Sequence, residues 1–576
     1  MRRQKDRVAE LEAKVQALTR LLEAQGLSPD NSLLADDVGF ADENAAVAAQ
    51  SSITSSAASK KRRFEGGHET PAAVSFGNTA TFQLDGIVPV QTQSRILHRY
   101  VHDVYPNFPI LPVPADHTYE ILRSTKPKVL QAIIYAGATG FVSVEDQEKL
   151  AKLLITDEAS NIMMSSPRSI ELLQALLIGC FWWWAPKNYK HVAVHQLIDA
   201  VSDMAKDLGV ASDPRIPQKG LPGAAGDTDH ENFDAASTWR AWLTGYMLSA
   251  AWCNYGRLPQ KETWTPHHDE TLMMLEYSPH AVPNDKLLAQ YIRAESICAK
   301  IETEMELSNM YLVLDVSAHE TQRKMQRLQN HILDWQAQIP LALQIWHNMA
   351  MLFLHEHVLH TCSNKPSFTA PFVTERLSVT DFPAPLALSE HADALAALAC
   401  SAHVLIDVYC NADLNTVLAL PGLLFPPRVL YAIYILVKAY IACTALGNTY
   451  GSVFDPKDLQ LEAYFERIAK MAARCNAVDD KSAPSILLSS ASRMHEFYCN
   501  YKASLAFAGW DDYSTTIPVP AVEQTQSFID FNSASWNDPL LLPTDYPLEG
   551  DYGLHDLFTN AGQQSSEGDL PTSSWE

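Results

Sequence analysis

Few side chains in this sequence stand at spacings that suit chemistry, and those that do favour binding over catalysis. Arg2, Arg3, Lys5 and Arg7 put four cations in the first seven residues, an arrangement that suits contact with nucleic-acid phosphates. His355-Glu356-His357 with His360 superficially looks like a helical zinc-protease site. That site needs a second His four residues after the first, and the residue there is Leu359. We therefore expect ordinary helix histidines. His267-His268-Asp269-Glu270 follows Trp264-Thr265-Pro266 and reads as a helix start with acidic first-turn residues. Trp182-Trp183-Trp184 reads as a bulky helix end packed into a core. The nine Cys (Cys180, Cys253, Cys298, Cys362, Cys400, Cys410, Cys443, Cys475, Cys499) include no C-x-x-C pair and mostly interrupt apolar stretches. They read as reduced, buried thiols and supply neither a zinc site nor a disulfide frame. No G-x-G-x-x-G, P-loop or G-x-S-x-G elbow is present. An enzyme is not expected, and no catalytic or metal-ligating residue is assigned.

The basic arm needs something to hold it. Val8, Leu11, Val15, Leu18 and Leu22 follow at alternating steps of three and four, the a/d seam of a heptad. Val at a with Leu at d favours two parallel strands, and Arg7 at g faces Glu12 at e of the partner. The pattern stops at Gly26, before the turn residues Ser28-Pro29-Asp30-Asn31. A basic arm feeding a dimer seam is a device for holding two DNA half-sites at fixed spacing. The alternative is an amphipathic helix that docks on its own domain.

The chain has 576 residues, a formal net charge of −24 and 47% hydrophobic residues, enough for a large core but too acidic for a nucleic-acid or membrane coat. The first residues are charged and no apolar signal region follows them. Residues 28–80 are rich in Ala, Ser, Asp and Asn and read as a flexible linker. Within it, Lys60, Lys61, Arg62 and Arg63 suit a nuclear import receptor. From 81 to 508 apolar residues recur at helical spacing, as in Ser169 to Trp184, Thr238 to Tyr255, Leu343 to Leu359 and Ala483 to Ser504. The longest apolar run, Val429 to Leu446, is broken by Lys438 and reads as a buried core helix rather than a membrane span. The fold class is all-α, a large helical domain with a short N-terminal coiled coil and disordered linker and tail. Residues 509–576 carry no Lys or Arg after Trp510 and mix acids with Phe528, Phe531, Trp536, Leu541, Leu557 and Phe558. Acidic charge that keeps such side chains exposed suits docking into a coactivator groove.

Several stretches in order resemble fungal binuclear zinc-cluster transcription factors. They are Tyr105-Pro106-Asn107-Phe108-Pro109, Lys126-Pro127-Lys128-Val129, Ser169 to Leu177 with Trp182, and Ala205-Lys206-Asp207-Leu208-Gly209. Thr238-Trp239-Arg240-Ala241-Trp242, Gly256-Arg257-Leu258-Pro259 and Pro283-Asn284-Asp285-Lys286 continue the series, with Leu258 altering the usual turn. The resemblance implies a helical regulatory domain in a nuclear protein that controls RNA polymerase II transcription of a pathway gene set, such as a secondary-metabolite cluster. It also implies a homodimer or a heterodimer with a relative, a coactivator such as Mediator, and in some members a small-molecule effector. The family reads DNA through six Cys that hold two zinc ions, and no such array stands here. No cofactor is expected in this chain, with zinc only if an upstream cysteine cluster exists. DNA binding is then weak, or supplied by an upstream or partner module. The alternative is a cluster-less partner or adaptor that modulates an intact relative without reading DNA.

Overall fold

The computed structural model describes residues 83–114, 118–157, 169–183, 194–208, 235–335, 341–382, 389–445 and 449–507. All lie in one unit that spans Val74 to Glu576. Among them every regular element is helical. Helix α1 (Val90–Arg99) runs into a π turn at Tyr100–Val104, closed by the Tyr105 amide donating to the Tyr100 carbonyl at 2.8 Å. Then come α2 (Tyr119–Thr125), α3 (Pro127–Gly137), α4 (Val144–Ala151), α5 (Ile170–Phe181) and α6 (Val194–Asp207). Side chains set where these helices begin. The hydroxyls of Thr118, Ser143 and Ser169 accept the amides of Ile121, Asp146 and Leu172. Pro127 opens α3 where a missing amide costs nothing.

The middle of the domain is α7 (Ala235–Gly256), α8 (Pro266–Tyr277), α9 (Asp285–Glu304), α10 (His319–Trp335) and α11 (Leu341–His355). A 3-10 turn, Glu356–Leu359, extends α11. The last part is α12 (Ser389–Cys410), α13 (Leu414–Ala419), α14 (Phe425–Thr444), α15 (Leu461–Asn476) and α16 (Ala483–Phe507). Neighbours in sequence are largely neighbours in space: α3 packs on α5, α7 on α5, α6 and α9, α9 on α11, α11 on α12, and α12 on α14.

At the centre is α14, every residue of which is buried. Its length and apolarity, like those of α12, would suit a membrane span. Yet its surface is taken by α11, α12, α15 and α16, which accounts for apolar residues on all its faces. The sequence reading began this helix at Val429. It begins at Phe425, because Pro426 and Pro427 fall in the first turn, where proline is tolerated. The thiols differ from expectation in part. Cys180, Cys253, Cys298, Cys443 and Cys475 are buried, but Cys362, Cys400 and Cys499 are exposed. Cys400 and Cys499 stand on outer faces of helices whose other sides meet the core.

A thiol-reactive dye added to native protein should therefore label Cys362, Cys400 and Cys499 quickly and all nine Cys only after denaturation. Rapid native labelling of Cys180 or Cys298, read by peptide mass spectrometry, would contradict the packing.

Candidate functional site

The polar chemistry of the described residues is concentrated inside the helical body. Glu295 of α9 is buried and accepts from three other helices. Asn254 of α7 donates to it at 2.8 Å, the Trp346 indole of α11 at 2.7 Å, and Arg428 of α14 at 2.6 Å. The Arg428 guanidinium also lies over the Trp346 ring, 4.0 Å from its centroid. Four helices thus meet at one carboxylate.

Two further buried pairs flank it. Arg240 donates through Nε and Nη2 to both oxygens of Asp285, at 2.6 and 2.7 Å. Arg257 donates to Glu356 at 2.6 Å and to the Tyr431 hydroxyl at 3.1 Å, with its guanidinium over Phe353. Arg257 follows the end of α7 with φ of +49°, a left-handed conformation that costs a side-chain-bearing residue about 1–2 kcal/mol. The ion pair and the ring contact hold it there. These pairs join stretches that the sequence reading singled out separately. Arg240 belongs to Thr238–Trp242 and Asp285 to Pro283–Lys286, while Arg257 belongs to Gly256–Pro259 and Glu356 to the His-Glu-His segment. Phe108 of Tyr105–Pro109 is fully buried, in edge contact with Phe181, Tyr291 and Phe425.

Two buried lysines complete the interior. The Lys365 ammonium donates to the carbonyls of Glu306, Asn309 and Leu312, at 2.8, 2.7 and 2.6 Å, and so fixes the chain after α9. Lys438 of α14 donates to Ser367 Oγ at 2.7 Å and faces the rings of Phe368 and Tyr434. Burial pushes its ammonium down to about 7. Burial likewise pushes the Glu356 carboxyl up to about 7, against the lowering effect of Arg257 and Lys365. It lowers His355 to about 4 and His357 to about 3, and His360 falls well below the usual imidazole value. These are ordinary histidines of a helix and its end, and they lie in the core. Among the described residues no group of three His, Cys, Asp or Glu could hold a metal. His268 completes a capping box with Thr265 at the start of α8 and packs among Trp242, Tyr246 and Trp264. Trp182 and Trp183 are buried, with the Trp182 indole donating to the Ala419 carbonyl at 2.9 Å.

Outside this interior, α8, α9 and α10 border a groove of about 1140 Å³ with Trp264 and Trp335 at its sides. Five of its carboxylates are engaged: Glu262 with His268, Asp269 with the Trp264 indole, Glu304 with Arg327, Glu302 with the Ser308 amide and Glu306 with Asn309. The residues that sequence reasoning assigned to binding lie outside the described residues. These are the phosphate-contact residues Arg2, Arg3, Lys5 and Arg7, the seam Val8, Leu11, Val15, Leu18 and Leu22, and the import run Lys60 to Arg63. The tail residues Phe528, Phe531, Trp536, Leu541, Leu557 and Phe558 lie outside them too. Sequence reasoning touched Lys438, Arg240, Arg257 and Asp285 but paired none of the buried charges. The available signal was a charge inside an otherwise apolar helix, as at Arg428 and Lys438.

Residues 93–348 match the family model described as the fungal specific transcription factor domain. Over this stretch, which is under half of the chain, the sequence is similar to that domain. The match covers α1 through most of α11, and so includes Arg240, Asp285 and Glu295. Transcription factor pbcR of Emericella nidulans is 24% identical over 397 residues, covering 66% of this chain and 50% of that protein. Transcriptional regulator WAR1 of Candida albicans is 22% identical over 200 residues, 34% of this chain and 21% of that protein. The chain therefore spans about half the length of the first relative and about a fifth of the second. No solved structure matches it.

Removing Glu295 leaves Arg428 buried without its carboxylate. Glu295→Ala should lower unfolding stability by about 3–5 kcal/mol in urea titration, and a loss below 1 kcal/mol would contradict the four-helix junction. The pH dependence follows from the imidazoles. Their folded values lie below the unfolded value of 6.5, so the stability they contribute is complete above pH 6.5 and is lost as pH falls toward 4 and 3. Glu356, raised in the fold, acts oppositely between about 4.5 and 7, but it is one group against three histidines. His355 has neither ring nitrogen hydrogen-bonded. His355→Leu should therefore flatten the acid side of a stability-pH profile between pH 4 and 6.5, and an unchanged slope would contradict the assignment.

Proposed function

We propose that the chain regulates RNA polymerase II transcription of a restricted pathway gene set, with a secondary-metabolite biosynthetic cluster as the specific assignment. The observation that carries this reading is the similarity to the fungal transcription factor domain, together with two relatives whose names describe transcription regulators. In this reading Val8, Leu11, Val15, Leu18 and Leu22 form the dimer seam. Arg2, Arg3, Lys5 and Arg7 touch DNA phosphates, which positions the protein without specifying sequence. Lys60 to Arg63 direct the protein to the nucleus, and residues 509–576 recruit a coactivator through Phe528, Phe531, Trp536, Leu541, Leu557 and Phe558. The interior ion pairs give the body a fixed shape on which an effector or partner could act.

One observation favours a second reading. None of the nine Cys stands at zinc-cluster spacing. A dimer partner or adaptor would use the same seam and tail while a relative reads the DNA.

Two measurements test the proposal. The chain tethered to a heterologous DNA-binding module should raise reporter transcription several-fold, and Trp536→Ala with Phe558→Ala should remove most of the gain. A reporter that stays silent with the intact chain would remove the activation assignment. In a gel shift at physiological salt, preference for one promoter sequence by the purified chain supports direct reading, and equal weak binding to all sequences supports the adaptor.

A further inference from the structure

Against the net charge of −24, one cleft in the helical body is basic. It has a volume of about 550 Å³, within the usual range for small-ligand sites, and lies where α1 and the turn after α3 meet α13 and the end of α15. Arg95 and Arg99, one helical turn apart on α1, line it together. Both guanidinium groups lie over the ring of Phe141, 5.2 and 5.5 Å from its centroid. Gly140, with φ of +79°, makes the turn that presents this ring. Arg99 is anchored by donating to the carbonyls of Gly137 and Thr139, at 3.1 and 2.5 Å.

Among the described residues neither arginine is in an ion pair, although Arg123, Arg240, Arg257, Arg293, Arg327, Arg428 and Arg467 all are. Like charges four residues apart on a helix repel. Asp103 is the one carboxylate among the lining side chains, beside His98, Asn415 and Thr139. The rest of the wall is apolar: Phe141, Leu418 and Val478. The groove between α8 and α10 differs, since its charged side chains are mainly carboxylates, most of them engaged by partners of their own.

We infer that this cleft binds a small amphipathic anion, with its carboxylate or phosphate head between Arg95 and Arg99 and its apolar part against Leu418 and Val478. A planar, doubly hydrogen-bonding guanidinium suits such a head. The anion would relieve the repulsion between the two arginines, and its apolar part would cover Val478, which is 48% exposed. Occupancy would tie α1 to α13 and α15, which belong to opposite ends of the described chain. The inference does not depend on the transcriptional reading.

The test is calorimetric titration of the full chain with octanoate, octylamine and inorganic phosphate. Octanoate should bind at a single saturable site, more tightly than phosphate, and octylamine should not bind. Arg95→Gln changes an exposed side chain and should weaken octanoate about tenfold, the usual scale for losing one charge-assisted hydrogen bond. Arg95→Lys should restore part of the loss. Val478→Asp, also on the surface, should abolish binding with an unchanged melting temperature. Equal binding of octylamine, phosphate binding as tight as octanoate, or octanoate affinity unmoved by Arg95→Gln and Val478→Asp would each overturn the inference. Displacement of octanoate by duplex DNA of any sequence would reassign the two arginines to backbone phosphates, and overturn it as well.

Discussion

The described structure depends on how one buried carboxylate is satisfied. Glu295 has lost its hydration, and it is stable inside the protein only because Asn254, Trp346 and Arg428 all reach it. Each of those donors comes from a different helix, so the carboxylate fixes α7, α11 and α14 relative to α9. Displacing any one of the helices by a turn would strand a buried charge or a buried donor. The neighbouring pairs repeat the logic at other joints: Arg240 with Asp285 between α7 and α9, and Arg257 with Glu356 between α7 and the end of α11.

Such pairs contribute little net stability, because desolvation offsets most of their attraction. Stability comes from the apolar core, to which α14 contributes along its whole length. What the pairs add is discrimination. A bundle of helices rich in Ala, Leu and Ile has many nearly equivalent registers, and a buried Arg428 accepts only those in which Glu295 faces it. The same reasoning covers Lys365, whose three backbone acceptors order the chain after α9.

Helical spacing made most of the fold legible. The Ser169 to Trp184 stretch holds α5, and the His267-His268 segment opened α8. Helices α2, α4 and α13 were missed because seven, eight and six residues are too short for a periodic signal. The start of α14 was missed because the apolar run was counted from Val429, after the two prolines of the first turn. The buried charges were illegible for a different reason. Arg428 is 133 residues from Glu295 and Arg257 is 99 from Glu356, and a sequence gives each charge without its partner. The motifs behind the family resemblance proved to be the segments that carry several of these charges, so the resemblance located them without explaining them. The surfaces assigned to DNA, dimerisation and activation lie outside the described residues.

The central claim, that α7, α9, α11 and α14 form one cooperative unit closed at Glu295, is tested most directly by native-state hydrogen exchange read by mass spectrometry. Peptides from 235–256, 285–304, 341–355 and 425–444 should be the last to exchange, and under increasing denaturant they should open together with a single free energy. Early or separate opening of 425–444, with the other three helices still protected, would show that α14 is not held by the junction and would contradict the account.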